Sequence, residues 1–227
     1  MTLEEQIKAV QADTQVANPT MIISALDEAQ AWCANRLFVM DENVLKVDND
    51  QMTMTGDTRT YDLGANVSTG VLYQLKWLGV QLSTDTKFHG IEWANSSDDY
   101  FIQLDQSTTG ASGHPILVAS ENFDQVRFAP FLQSGDIVRA DYIYRPKPLS
   151  LEDNVECDLP EPFHWCVVNK ARAAIFDSID DDRSRKYEIR AFEALFGAEN
   201  ILQQRQLQQR PTTAPFGISR QRWHGVT

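Results

Sequence analysis

The residues able to do chemistry in this 227-residue chain are few and scattered. The conspicuous carboxylates are Asp177, Asp180, Asp181 and Asp182, with a smaller pair at Asp98-Asp99. A calcium loop needs a Gly at its sixth position, and none of the aspartates has one at that offset, so the run reads as caps and a turn. The pair Asp98-Asp99 would suit a glycosidase, with Trp77 and Trp93 stacking on sugar, but aromatic residues in a β-sandwich usually belong to its core. The four histidines, His89, His114, His164 and His224, lie in four separate contexts. None belongs to an HExxH pattern, and His164 and Cys166, two residues apart on a helix, face different sides of it. Cys33, Cys157 and Cys166 are an odd number at unmatched spacings, which indicates buried hydrophobes rather than a disulfide framework or a CxxC site. GxSxG, Walker and GxGxxG patterns are absent from the sequence, which removes the commoner hydrolase, nucleotidase and dinucleotide signatures. No catalytic residue, cofactor or metal is indicated, and the expectation is a protein that is not an enzyme.

The remaining signal is charge. The chain carries 20 basic and 32 acidic side chains, a net of -12. No acid follows Glu199, whereas Arg205, Arg210, Arg220 and Arg222 lie beyond it, so the first 200 residues hold 16 basic against 32 acidic groups. An acidic body cannot neutralise phosphates and argues against direct nucleic-acid binding. The tail is basic and carries two prolines, Pro211 and Pro215, followed by Phe216, Ile218 and Trp223 as isolated large apolar residues. Such a segment is flexible alone and orders against a partner. The first residues, MTLEEQIKAV, lack the basic start of a secretory signal, and no apolar run approaches the length of about 18 to 20 residues that spans a membrane. A soluble protein made in a cytosol is expected.

The elements that position these residues follow from periodicity. Asp158 to Phe196 reads as a helical hairpin: Pro162 suits a first turn, and the break at Asp180 to Asp182 supplies caps for the second helix. Phe163, Val167, Ala171 and Ala174, with Val168 and Ile175, form one stripe, and Tyr187, Ala191, Leu195, Phe192 and Phe196 form the other. Asn169, Lys170, Arg172, Arg183, Arg185, Lys186 and Arg190 take the outward faces. Two such stripes need further partners. A short helix over 3 to 12, with Leu3, Ile7 and Val10 on one side, and a stronger one capped by Thr20, with Ile22, Leu26, Ala29, Cys33 and Leu37 on one face, supply them.

Between about Asn43 and Ser150 the period falls to 2. Strands are expected at Gln51 to Thr55, Thr58 to Leu63, Tyr73 to Leu82, Phe88 to Trp93, Tyr100 to Leu104, Ile116 to Ala119, Val126 to Phe128 and Ile137 to Tyr144. The apolar parity switches at Trp77-Leu78, which suggests a bulge or a strand buried on both faces. Arg145-Pro146-Lys147-Pro148 ends the sheet, because proline cannot donate to a ladder. The second hairpin helix runs on past Gly197 to about Gln209, where Pro211 stops it. The expected fold is α+β: a small antiparallel helical bundle with an inserted antiparallel β-sandwich or barrel. Its divisions are 1-42 for the N-terminal helices, 43-150 for the β-domain, 151-200 for the helical hairpin, and 201-227 for the helix extension and basic arm.

This order of elements resembles the head-to-tail adaptor proteins of tailed bacteriophages, the connector or head-completion proteins that include the tubular or nozzle adaptors. The resemblance is carried by SALDEAQAWC in the N-terminal helix, Gly113 and Pro115 before a strand, DYIYRP from Asp141 to Pro146, and LPEPFHWCVV from Leu159 with the short Asp-rich break after it. It implies a homo-oligomeric ring, usually of twelve copies, docked under the portal protein in the neck of the virion. DNA would pass through the lumen without specific binding, and a downstream tail, neck or nozzle protein would meet the β-domain. It implies a C-terminal arm against the portal, which here places Arg205, Arg210, Phe216, Arg220, Arg222 and Trp223 in that role. An acidic channel wall would repel phosphates during ejection. A β-sandwich binding module for carbohydrate or another tail protein is the alternative reading, and a hydrolase the third.

Overall fold

A computed structural model describes residues 1–111, 116–122, 124–150 and 156–209. Helix α1 (Leu3–Thr14) opens with a reciprocal cap, the Thr2 hydroxyl accepting from the Glu5 amide at 3.3 Å while the Glu5 carboxylate accepts from the Thr2 amide at 2.9 Å. Leu3, Ile7 and Val10 are buried as the periodicity predicts. Helix α2 (Pro19–Met40) starts two residues earlier than a Thr20 cap would allow. Asn18 is the cap, accepting from the Thr20 amide at 3.0 Å, and Pro19 takes the first helical position, where it has no hydrogen bond to lose. Ile22, Leu26, Ala29, Cys33 and Leu37 are all buried.

A short 3-10 turn (Glu42–Leu45) leads into β1 (Lys46–Thr53), followed by β2 (Thr58–Asp62), a single helical turn α3 (Leu63–Asn66) and β3 (Val71–Gln81). Then come β4 (His89–Gly90), β5 (Glu92–Trp93), α4 (Asp99–Asp105), β6 (Leu117–Ser120), β7 (Gln125–Leu132) and β8 (Ile137–Arg145). One sheet has the order β1-β8-β3-β4 and the other β2-β7-β6-β5. They do not close into a barrel, and their inner residues, Leu72, Leu78, Val80 and Val138 from one and Val118, Val126 and Phe128 from the other, join one continuous core. The pairing is antiparallel except between β5 and β6, which run parallel. β3 has two register shifts, between Leu72 and Gln74 and between Leu75 and Trp77, and the second adjoins the parity switch at Trp77-Leu78.

Three expectations in this region fail. Tyr100 to Leu104 is helix, not strand: Asp98 caps α4 by accepting from the Tyr100 amide at 2.8 Å, and Phe101 and Leu104, three apart, bury against Leu117, Ala119 and Ala129. An apolar run this short fits either period, and the cap decides. Phe88 to Trp93 is not one strand but two pairs of residues that join different sheets. Trp77 and Trp93 are not core; both are exposed.

The sheet ends at Arg145 before Pro146, and the linker is clamped to α2. Gln30 Nε2 donates to the Lys147 carbonyl at 2.8 Å, and the Leu149 amide donates to Asp27 at 3.0 Å. After a 3-10 turn (Glu161–Phe163), α5 (His164–Ser178) packs against α1, α2 and α6 (Arg183–Gln209) and is the helix around which the bundle forms. It buries Cys166, Val167, Val168, Ala171, Ala173, Ile175 and Phe176. The same apolar core runs from these helices into both sheets.

Candidate functional site

The Asp run is a cap and turn. Asp181 accepts from the Arg183 amide at 2.9 Å and pairs with the Arg183 guanidinium at 2.7 Å, which holds its carboxyl below the usual aspartate range, while Asp180 takes the left-handed backbone at φ 55°. Asp177, Asp180, Asp181, Asp182 and Glu188 line a surface hollow of about 610 Å³ together with Ser184 and Arg185. Among the described residues no group of three or more His, Cys, Asp or Glu could hold a metal ion. Asp98 is spent on the α4 cap, and Asp99 occupies the first turn of that helix. The Trp77 indole lies over Gly79, leaving no space for a side chain there, and the Arg139 guanidinium sits 4.9 Å from its ring centre. It is already stacked.

His89 pairs with Asp85 at 2.7 Å on the surface, and that hydrogen bond is the main reason the Asp85 carboxyl titrates below its usual range. His164 is buried, with Nδ1 3.1 Å from the Met1 amine and Nε2 donating to the Leu159 carbonyl at 2.8 Å. Burial is the largest cause of its lowered pKa, and the ring is a neutral clasp between the start of α1 and the start of α5. The Cys33 and Cys166 sulfurs are 3.5 Å apart inside the bundle, a contact that, with burial, raises the Cys33 thiol pKa. Cys157 is only partly buried, unlike the hydrophobe expected. His164 and the Cys33–Cys166 contact hold helices together.

What the bundle offers outward is a surface. Arg172, expected on the outside, is buried: its guanidinium donates to the Ala9 carbonyl at 2.6 Å and to Asn169 at 3.2 Å, and pairs with Asp13 at 2.9 Å. Conversely Phe196, expected to face inward, is 52% exposed, as is Ile189. Tyr187, Ala191, Leu195 and Ala198 suffice to fill the seam with α5. Phe192 lies between the two sides, edge-on to Trp32 of α2 at 5.2 Å and stacked on Phe196 at 6.5 Å. Lys170 of α5 is over the Trp32 ring at 5.1 Å and pairs with Glu188 at 3.0 Å. Contacts therefore run without a gap from Phe196 through Phe192, Trp32 and Lys170 to Glu188 and the acidic hollow. Sequence reasoning missed this face, although Trp32 stands off the Ile22, Leu26, Ala29, Cys33, Leu37 stripe and Ile189 stands off the Tyr187, Ala191, Leu195 stripe.

The arm residues Arg210, Phe216, Arg220, Arg222 and Trp223 lie outside the described residues, as do Gly113 and Pro115; Arg205 lies on α6, whose 27 residues span about 40 Å. That helix passes the 3-10 turn before α5 and continues beyond it. No helix among the described residues is long and apolar enough to cross a membrane.

In the bundle and the two sheets the polar groups described above cap, clasp and clamp, and the aromatic face of α6 is turned outward. A family model for the SU10 adaptor protein matches residues 1–217, and the chain belongs to that family, one of phage head-tail adaptors. The family is structural, not an enzyme class, and its place is the virion. No curated protein matches the chain.

Proposed function

We propose that the protein is the ring-forming adaptor between the portal and the tail, with its inner wall forming part of the DNA channel. The observation that carries this reading is the family match across residues 1–217, which includes the helix α6 leading into the basic tail. In this reading twelve copies form the ring, residues 43–150 act as a unit that meets the nozzle or neck protein, and the bundle from 1–42 and 151–200 sits beneath the portal. The segment 201–227 is the portal arm, with Arg205, Arg210, Arg220 and Arg222 for acidic groups and Phe216 and Trp223 as anchors. The acidic body keeps phosphates from adhering as DNA passes.

The test is co-assembly with the portal, measured by sedimentation. Removal of Ile201 to Thr227, and separately Phe216→Ala with Trp223→Ala in the full chain, is expected to abolish or sharply weaken docking. Undiminished docking by both variants rejects the arm.

A further inference from the structure

Helix α6 has two sides that differ in charge and agree in layout. One faces α2 and carries Ile189, Phe192 and Phe196, with the acidic turn at its foot. The other faces α1: Lys186 and Arg190 lie 5.9 Å and 5.4 Å from the Tyr187 ring centre, and Tyr187 and Arg172 both meet Asp13 of α1. On this second side the Trp165 ring of α5, 52% exposed, lies 6.0 Å from the Arg172 guanidinium. We infer that the two sides are partners in neighbouring copies of the chain, the acidic turn and Phe196 of one copy docking on Lys186, Arg190 and Trp165 of the next. This contact presupposes the proposed ring and names the faces that close it.

Helix geometry separates the two sides. At about 100° per residue, Tyr187, Ala191, Leu195 and Ala198 centre the buried seam; Ile189, Phe192 and Phe196 stand about 140° round from it in one direction, and Lys186 and Arg190 about 115° round in the other. The levels match as well. α5 and α6 run antiparallel from the turn between Ser178 and Arg183. Phe196 is 13 residues beyond Arg183 and Trp165 is 13 residues before Ser178, so both rings stand about 20 Å from the turn. Lys186 and Arg190 are about 5 Å and about 10 Å along α6, and helical side chains lean toward the N-terminus, which is here the turn. Their charged ends are thereby carried toward the level of Asp177, Asp180 and Asp182. Copies related by a cyclic axis share one polarity, so acid meets base and ring meets ring in the same contact.

The charges concerned are the open ones. Asp181 is taken by Arg183 and Glu188 by Lys170, so the acidic side offers Asp177, Asp180 and Asp182 against Arg185. Asp13 is taken by Arg172 and Tyr187, and Lys186 and Arg190 have no carboxylate partner among the described residues. Exposed ion pairs contribute little energy and set register and choice of partner. Covering Ile189, Phe196 and Trp165, each about half exposed, supplies the drive.

The test uses the full chain with portal present, read by sedimentation at low salt. Asp177→Lys with Asp182→Lys makes one variant, and Lys186→Glu with Arg190→Glu a second. Each alone is expected to lower the yield of assembled particles about tenfold or more. An equal mixture of the two is expected to restore it, because each altered side then meets its altered complement and each unaltered side its natural one. Unchanged yield from either variant alone, or a mixture that assembles no better than its parts, overturns the contact. A second reading needs no substitution: isotope-light and isotope-heavy chains are mixed, assembled and treated with a carbodiimide, which joins an amine directly to a carboxylate. Links from Lys186 of one copy to Asp177, Asp180 or Asp182 of another are expected. Assembled particles without such links overturn this contact and leave the ring standing, whereas a chain that forms no particle of several copies overturns both.

Discussion

Replacing Arg172 by Met keeps most of the side-chain stem and removes the guanidinium, which isolates what the buried charge contributes. The group is almost fully enclosed between α1, α5 and α6, donating to Ala9 and Asn169, pairing with Asp13, and lying 5.4 Å from the Tyr187 ring centre. Hydrogen bonds from a charged donor contribute about 1.5–3 kcal/mol each, but taking the charge out of water costs several kcal/mol and cancels much of that. The ion-pair share is small, because the Asp13 side chain is 40% exposed and water screens it. The net expectation is a loss of about 2 kcal/mol for Arg172→Met and no more than about 1 kcal/mol for Asp13→Asn. At about 2–4 °C per kcal/mol for a chain of this size, Tm should fall by about 4–8 °C in the first variant and by half that or less in the second. Thermal unfolding of both proteins by circular dichroism reads this directly. An unchanged or raised Tm for Arg172→Met, or an equal loss for Asp13→Asn, would refute the view that the backbone contact to Ala9 and burial, rather than the ion pair, decide the outcome.

Two further outcomes follow from local geometry. Gly70 has φ +65°, and a methyl there would meet the Tyr144 ring and lie 2.5 Å from the Arg145 carbonyl oxygen, so Gly70→Ala should cost about 2–4 kcal/mol in denaturant unfolding; a loss under about 1 kcal/mol would contradict it. His164 has a folded pKa below its unfolded value, so at low pH the unfolded chain binds more protons and stability falls as pH drops below about 6.5; this fall should be shallower in His164→Gln, and an identical pH profile would remove His164 as its source.

The helical bundle was readable because its stripes are long. Ile22, Leu26, Ala29, Cys33 and Leu37 hold one phase over four turns, and no other local structure buries them together. The second bulge in β3 also showed, as a change of parity at Trp77-Leu78, while the first, between Leu72 and Gln74, left no such mark. Tyr100 to Leu104 did not show, because five residues hold too little of either period and the deciding group, the Asp98 carboxylate, lies outside the run. Arg172 was misplaced for a different reason: residue type predicts water, while position predicts the seam, and only a partner on α1, distant in sequence, reconciles the two. The exposed face of α6 was hidden because Phe192 and Phe196 continue an apolar stripe in sequence, whereas the width of that stripe exceeds what α5 can cover. The basic tail shows as composition alone.

The clasp between helices from the two ends of the chain also orders events in time. Cys33 meets Cys166, and Met1 meets His164, so α1 and α2 leave the ribosome long before the helix they pack on has been translated. Their apolar stripes wait while more than a hundred residues are added at about 5–20 residues per second, on the order of ten seconds. During that interval the strands can pair, since β3, β7 and β8 find their partners among residues already made. Closure of the bundle is consequently a late, long-range step that only a finished chain completes. A chain that stops short of α5 leaves the apolar stripes of α1 and α2 uncovered, so the bundle cannot close until translation has passed Ser178.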